Sequence, residues 1–481
     1  MSKPNLRKLM ENLGQKLQRW PLEEWSSLIL VMVPIALLFC WGLDFHNLRR
    51  GEETNLVESA HYWWTALQDS GFTPTSLFEN LGRSPLPIWL ISLSQLIFGP
   101  GLWGDRLLGA LLNGASLPLL YWLGKELYGR SLPALLTVVV YGTAPTVVYW
   151  ARVASINSFV LPLTIACLAS ALFCRRDLRG GLPLGLTLSA LALTNLPTAI
   201  LLFAAGLVFL HWDTPRLKSS SLFWFGLVLG LLPAIAWWVT HSLLPQQELV
   251  NAMVVISGSP WPLNFRGWLW LLVSSPGLIF ALQAFPQAQK ALPWSWARFL
   301  LCQGGVYGML VIISPWASTS LVMPLLVVLA LAAGLILAEI RQGASTLVYP
   351  PWWRRFFLTL AGLTALGAIA IYFSYGQGNL ASWTAQEGVL TILVLILLAL
   401  TLAMTSLLLD RQRPEFINVL FWGLFVCLFL VIYTPLSYLP PRSLLDVIVS
   451  TVPTTNQITG GVALCKMAKN STMGQPFNCF D

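Results

Sequence analysis

Apolar runs of bilayer length recur along this chain, each closed by a short polar turn, and one stretch near the N-terminus breaks the rhythm. The runs lack the period-two alternation of membrane strands. A hydrocarbon core about 30 Å thick takes about 20 apolar residues per helix, and lipid obliges each spanning segment to satisfy its own backbone hydrogen bonds. The pattern therefore predicts helices, with spans near 27–43, 107–123, 132–149, 159–173, 181–195, 196–210, 221–240, 267–285, 299–313, 318–338, 356–374, 388–408 and 417–436. The boundary at Thr194 to Pro197 is the least distinct, since two runs nearly touch there.

Two shorter elements fall in the stretch that breaks the rhythm. From Thr54 to Gln68, Leu56, Ala60, Trp63, Trp64 and Leu67 recur at helical spacing with Glu58, His61 and Asp69 interleaved, which predicts an amphipathic helix. Its tryptophans suit a membrane interface, and Gly71 and Pro74 end it. The run from Pro85 to Phe98, bounded by Pro85, Pro87 and Gly99-Pro100-Gly101, is too short for an ordinary span. It reads as a re-entrant or interfacial helix.

Composition agrees with the pattern. The 481 residues are 56% hydrophobic and 10% charged, against about 25% charged in a soluble domain. A net charge of +8 raises nucleic acid as a partner, but in a membrane protein the placement of Lys and Arg carries the information, and no nucleic-acid partner is expected. Lys3, Arg7, Lys8, Lys16 and Arg19 precede the first span and set a cytoplasmic N-terminus. That span is expected to stay as an anchor, since its apolar run is long for a signal-peptide core. With Pro85 to Phe98 not crossing, Lys125, Arg130, Arg175, Arg176, Arg179, Arg216, Lys218, Lys290, Arg298, Arg341, Arg354, Arg355, Arg411 and Arg413 all fall inside. Counting that run as a crossing reverses them all.

The expected architecture is an all-α integral membrane protein, a polytopic bundle of about thirteen transmembrane helices with extracytoplasmic juxtamembrane helices. A cytoplasmic segment 1–26 leads into a transmembrane domain 27–438, whose first extracytoplasmic loop is 44–106, and an extracytoplasmic tail 439–481 follows. Cys40, Cys167, Cys174, Cys302 and Cys427 lie in apolar spans as small buried residues. Cys465 and Cys479 share the polar tail, as a disulfide or as two free thiols.

The loop 44–106 is where chemistry is expected. Its arginines, with Arg152 and Arg266, match phosphate oxygens through the guanidinium fork, or else contact headgroups by snorkelling. Glu52 and Glu53 open the amphipathic helix. An acid beside an acid near the bilayer has a raised proton affinity suited to a general base, while a helix N-terminus favours acids in any case. His46, His61 and His241, with Glu79, carry no paired ligand spacing. No cofactor follows from the sequence, and a divalent cation stays open.

The segments GEETNLVESA, GRSPLPIWLISLSQLIFG, GLWGDRLLGALLNGASLPLLYWLGKELYGR and YGTAPTVVYWARVASINSFVL resemble the N-terminal third of the ArnT and protein O-mannosyltransferase families of GT-C glycosyltransferases. In those families an Asp-Glu pair opens the first extracytoplasmic loop, which Glu52-Glu53 match. Arg83-Ser84-Pro85-Leu86 stand for a Lys-Pro-Pro-Leu-like motif, Arg106-Leu107 for the start of the next span, and Arg152 for a later arginine. Asn157 stands where the families have a second acid. The resemblance implies a GT-C fold and transfer of a sugar from a polyprenyl-phosphate donor to an acceptor at the outer face. It implies Glu52 as base, Glu53 as its support, and Arg83, Arg106 and Arg152, with Asn157, around the departing lipid phosphate. Membrane lipids would be the remaining partners, unless the chain is a degenerate relative that binds lipid or assists assembly.

Overall fold

The computed structural model describes residues 22–44, 52–68, 84–243, 275–314, 319–342, 349–376 and 385–434. They form helices and turns, with no strand among them. In order these are α1 (Leu22–Cys40), α2 (Glu52–Gln68), α3 (Pro85–Phe98), α4 (Leu102–Tyr128), α5 (Ser131–Gly142), α6 (Pro145–Ala151), α7 (Ile156–Phe173), α8 (Gly181–Thr194), α9 (Leu196–Asp213) and α10 (Ser221–Leu243). A 3-10 turn (Pro276–Phe280) leads into α11 (Ala281–Lys290). Then come α12 (Ser295–Ile313, with a π segment Leu301–Val306), α13 (Thr319–Gln342), α14 (Pro351–Gly376), α15 (Ala385–Asp410) and α16 (Phe416–Val431).

Among the described residues eight helices are long and apolar enough to cross a membrane, nine if the bent pair α5–α6 counts as one span, and four apolar helices are shorter. Every expected span overlaps a helix, although the first part of 267–285 lies outside the described residues. The bundle centre is α13, whose residues 320–338 are all buried. It packs on α5, α7 and α11. By contrast α14 and α15 form a hairpin with about two thirds of each apolar window on the outside, and α16 packs on α15.

Local sequence explains the breaks. Pro145 at the first turn of α6 bars Ala144 from the helical region, Ala144 sits at φ −72°, ψ 118°, and α5 and α6 meet at 66°. Asn195 separates α8 from α9: its Oδ1 accepts the Thr198 backbone N–H at 3.0 Å and its Nδ2 donates to Ser320 Oγ at 2.8 Å. The α3 helix opens on Pro85, a favoured first-turn residue, and ends at Gly99, whose φ of 86° only glycine adopts freely.

A close helix crossing joins α8 and α10. Gly181 and Gly185 on one helix face Gly226 and Gly230 on the other, and a Cβ on Gly230 would lie 2.6 Å from the Leu186 backbone nitrogen. Both helices carry G-x-x-x-G, which lets backbones approach where lipid supplies no hydrophobic drive between helices.

Candidate functional site

The stretch 52–106 folds into the two helices that its pattern predicts, and α3 is a short element that packs on both α2 and α4. Ser92 Oγ donates to the Ala60 carbonyl at 2.8 Å, and Trp63 meets Trp89 edge-on at 6.2 Å. Trp89 in turn meets Trp237 of α10 at 5.6 Å. A floor of aromatic and hydroxyl contacts thus seats α2 against the bundle.

On that floor sits a buried ion pair. Glu53, in the first turn of α2, is 2% exposed and Arg106, in the first turns of α4, is 6% exposed. Arg106 Nε donates to Glu53 Oε1 at 2.7 Å and Nη2 donates to Oε2 at 3.1 Å, a bidentate fork. Nη1 donates to the Leu43 carbonyl at 2.7 Å, while Glu53 Oε1 also accepts the Ala154 backbone N–H at 3.1 Å. One pair therefore ties together the end of α1, the start of α2, the start of α4 and the segment before α7. Geometry of this kind compensates the desolvation of both charges, and removing one partner leaves a buried charge worth about 3–5 kcal/mol.

Arg152 closes the other side. The bend between α5 and α6 carries it over the end of α1, where Nη1 donates to the Leu38 and Trp41 carbonyls and Nη2 donates to the Gly42 carbonyl at 2.9 Å. These carbonyls lie in the last turn of α1 and just beyond it, where acceptors run out of helical donors. Burial, and then the charge of Arg106, lower Arg152 to about 10. It still carries its proton at neutral pH.

The structure thus brings Glu53, Arg106 and Arg152 around one point, with Asn157 buried in the first turn of α7. Glu52 is the residue that opens α2, and its side chain lies outside the described residues, as does all of Arg83. Both oxygens of Glu53 face protein donors, on Arg106 and Ala154. Arg106 faces Glu53 and Leu43 in the same way.

Two groups were given no individual role by the sequence. Asp105, 5% exposed, accepts from Gln95 Nε2 at 2.8 Å and lies beside the Arg106 pair. Ser155, which precedes α7, carries a buried hydroxyl with no hydrogen-bond partner among the described residues. The signal for Asp105 was its place next to an arginine at the start of a span. Nothing marked Ser155 apart from the many serines at helix starts.

As for metals, no group of three or more His, Cys, Asp or Glu is placed to hold an ion among the described residues. His61 stands exposed on α2. His46, Glu79 and the His241 side chain lie outside the described residues, and so do Cys465 and Cys479.

The helices adopt the GT-C membrane fold. The fold is that of ArnT from Cupriavidus metallidurans: the apo structure aligns with a TM-score of 0.63 at 18% identity, covering 85% of this chain and 76% of that one. The structure of the same enzyme bound to undecaprenyl phosphate aligns at 0.59 and 17% identity over 84% and 76%. Residues 82–239 match the family model described as dolichyl-phosphate-mannose-protein mannosyltransferase. An uncharacterized protein of Aquifex aeolicus (strain VF5) is 25% identical over 234 residues, which is 48% of this chain and 46% of that one. The chain thus matches less than half the length of this relative.

Proposed function

We propose that this protein transfers a sugar from a polyprenyl-phosphate carrier to an acceptor at the extracytoplasmic face, with the N-terminus in the cytoplasm. The observation that carries the reading is the buried Glu53–Arg106 fork, which fixes the start of α2 against α4. It presents Glu52, the preceding residue, at the helix N-terminus. The match of residues 82–239 to a family of lipid-phosphate-sugar transferases supports it, as does the fold shared with an enzyme crystallised with undecaprenyl phosphate.

In this reading the acceptor attacks the anomeric carbon, Glu52 takes the acceptor proton, and the bond from that carbon to the phosphate oxygen breaks. Positive charge from Arg83 and Arg152 meets the departing phosphate, in a site where charge compensation is worth more than in water. Arg106 contributes through the field and position of its pair, and Asn157 and the Ser155 hydroxyl supply polar contacts to the donor.

The test is transfer of labelled sugar from lipid donor by the purified chain. Glu52→Gln is expected to lower the rate by about 100-fold or more, the scale of a general base; full activity in that variant ends its assignment. Retention of polyprenyl phosphate should hold from neutral pH and fall as pH rises through about 10, where Arg152 loses its proton.

A second reading has its own observation. Arg106 and Arg152 direct most of their donors to protein acceptors, as expected of a relative that keeps the scaffold and binds a lipid without turning it over. Retention of polyprenyl phosphate by wild type with no transfer to any acceptor would favour it.

A further inference from the structure

Away from the candidate site, one end of the α14–α15–α16 unit gathers four arginines on two segments that the fold ties together. Arg354 and Arg355 lie in the first turns of α14, and Arg411 and Arg413 sit between α15 and α16. All four are exposed, with Asp410 and Glu415 as the nearby acids in sequence. Arg354 Nη1 donates to Asp410 Oδ1 at 2.6 Å. Positive charge is left in excess at the mouth of the hairpin.

The tie is made by Gln412. Its φ of 53° makes it the one non-glycine residue in the left-handed region among the described residues. Such a placement costs energy and persists where the surroundings over-determine it, often around a ligand. Here Gln412 Oε1 accepts the Tyr349 backbone N–H at 2.9 Å, and Ser406 Oγ donates to the Arg354 carbonyl at 3.2 Å. These bonds hold the turn bearing Arg411 and Arg413 against the start of α14.

Further along the same two helices an apolar groove of about 660 Å³ opens outward, lined by Ala361, Ala365, Ala368, Ile396, Ala399 and Leu400 among others. At about 1.5 Å per residue its near end lies about 10 Å from Arg354 along the helix axis. One leaflet of hydrocarbon is about 15 Å deep. A molecule with an anionic phosphate at the arginines and an acyl chain running down the helices would place that chain in the groove.

We propose that this corner and groove bind one anionic phospholipid, its phosphate against Arg355, Arg411 and Arg413 and an acyl chain between α14 and α15. The guanidinium fork matches phosphate oxygens, and basic pockets beside transmembrane helices suit acidic headgroups. Trp352, exposed in the first turn of α14, is of the residue type enriched where helices meet headgroups. On the charge-derived topology this site is in the leaflet opposite the Glu53–Arg106 pair.

The test is native mass spectrometry of the full chain in detergent, titrated with phosphatidylglycerol or with phosphatidylcholine of the same acyl chains. Wild type is expected to retain phosphatidylglycerol about tenfold or more over phosphatidylcholine. Arg413→Gln should cut that preference about fivefold, since each arginine near a headgroup is worth about that factor, and R355Q/R411Q/R413Q should abolish it. Ala365→Phe with Ala399→Phe, which fills the groove without touching the arginines, should lower phosphatidylglycerol retention on its own and serves if the triple variant does not fold. Equal retention of the two lipids by wild type overturns the proposal, as does a preference unchanged in every variant. Displacement of the lipid by millimolar inorganic phosphate would assign the arginines to a free anion and overturn it too, and so would retention of polyprenyl phosphate with no phosphatidylglycerol.

Discussion

Two arginine–carboxylate pairs at different places in this molecule have nearly the same bond length and opposite surroundings. Glu53–Arg106 closes at 2.7 Å with side chains 1% and 6% exposed, and Arg354–Asp410 closes at 2.6 Å with side chains 52% and 50% exposed. Distance alone would rank them equal. Burial separates them: the first pair is desolvated and also bonded to the Leu43 carbonyl and the Ala154 N–H, so that neither partner can leave without stranding a charge. The second stands in a wet, screened setting, where such pairs are worth about 0–1 kcal/mol. One pair is architecture for a site, while the other is one contact in a basic patch.

The largest expected effect breaks the first pair on one side only. Glu53→Gln should destabilise the protein by about 3–5 kcal/mol, read as an earlier tryptophan-fluorescence transition on heating in detergent. Replacing both partners sharpens the comparison. Glu53→Leu with Arg106→Met removes the charges together, so much of the stability should return. Sugar transfer should not return, because the fork that positions the start of α2 is gone. Full transfer by that double variant would reduce the pair to a filler of space.

A next, smaller effect lies at the crossing of α8 and α10. Gly230→Ala places a methyl against the Leu186 nitrogen, 2.6 Å away, and against backbone of α8, where no flexible side-chain end can give way. Overpacking of this kind costs about 1–3 kcal/mol, measurable by the same thermal transition. An unchanged midpoint would show that the helices separate freely, and the α8–α10 contact would then be no more essential than the exposed pair.

The parts that the sequence made legible are those governed by local rules. The spacing of Leu56, Ala60 and Trp63 gives α2, and the prolines and glycines around 85–101 give a short α3, while the break between α8 and α9 at Asn195 was the least distinct boundary. That Glu53 takes the Arg106 fork was not visible in charge pattern, because adjacent acids on a helix look alike in sequence. The Arg106 fork requires residues 53 apart in sequence to meet, and spacing does not encode that. The G-x-x-x-G motifs of α8 and α10 were legible in principle. They stayed hidden inside apolar runs that hydropathy treats as uniform. The number of crossings resists the sequence for a related reason: α1, α3, α8 and α16 are apolar yet shorter than a full span.

The smallest effect concerns the exposed pair and closes the comparison from the other side. Arg354→Ala removes a 2.6 Å contact but leaves Asp410 half in solvent, so the lost attraction is largely replaced by water. The Arg354 carbonyl still accepts from Ser406, because that bond belongs to the backbone. The thermal midpoint in lipid-free detergent should therefore move by the equivalent of less than about 1 kcal/mol, and added salt should shrink even that shift, since exposed charges are screened within about 10 Å at 0.1 M. A loss as large as that of Glu53→Gln, insensitive to salt, would mean that burial is not what separates the two pairs, and the case for the Glu53–Arg106 fork as the frame of the site would lose its physical basis.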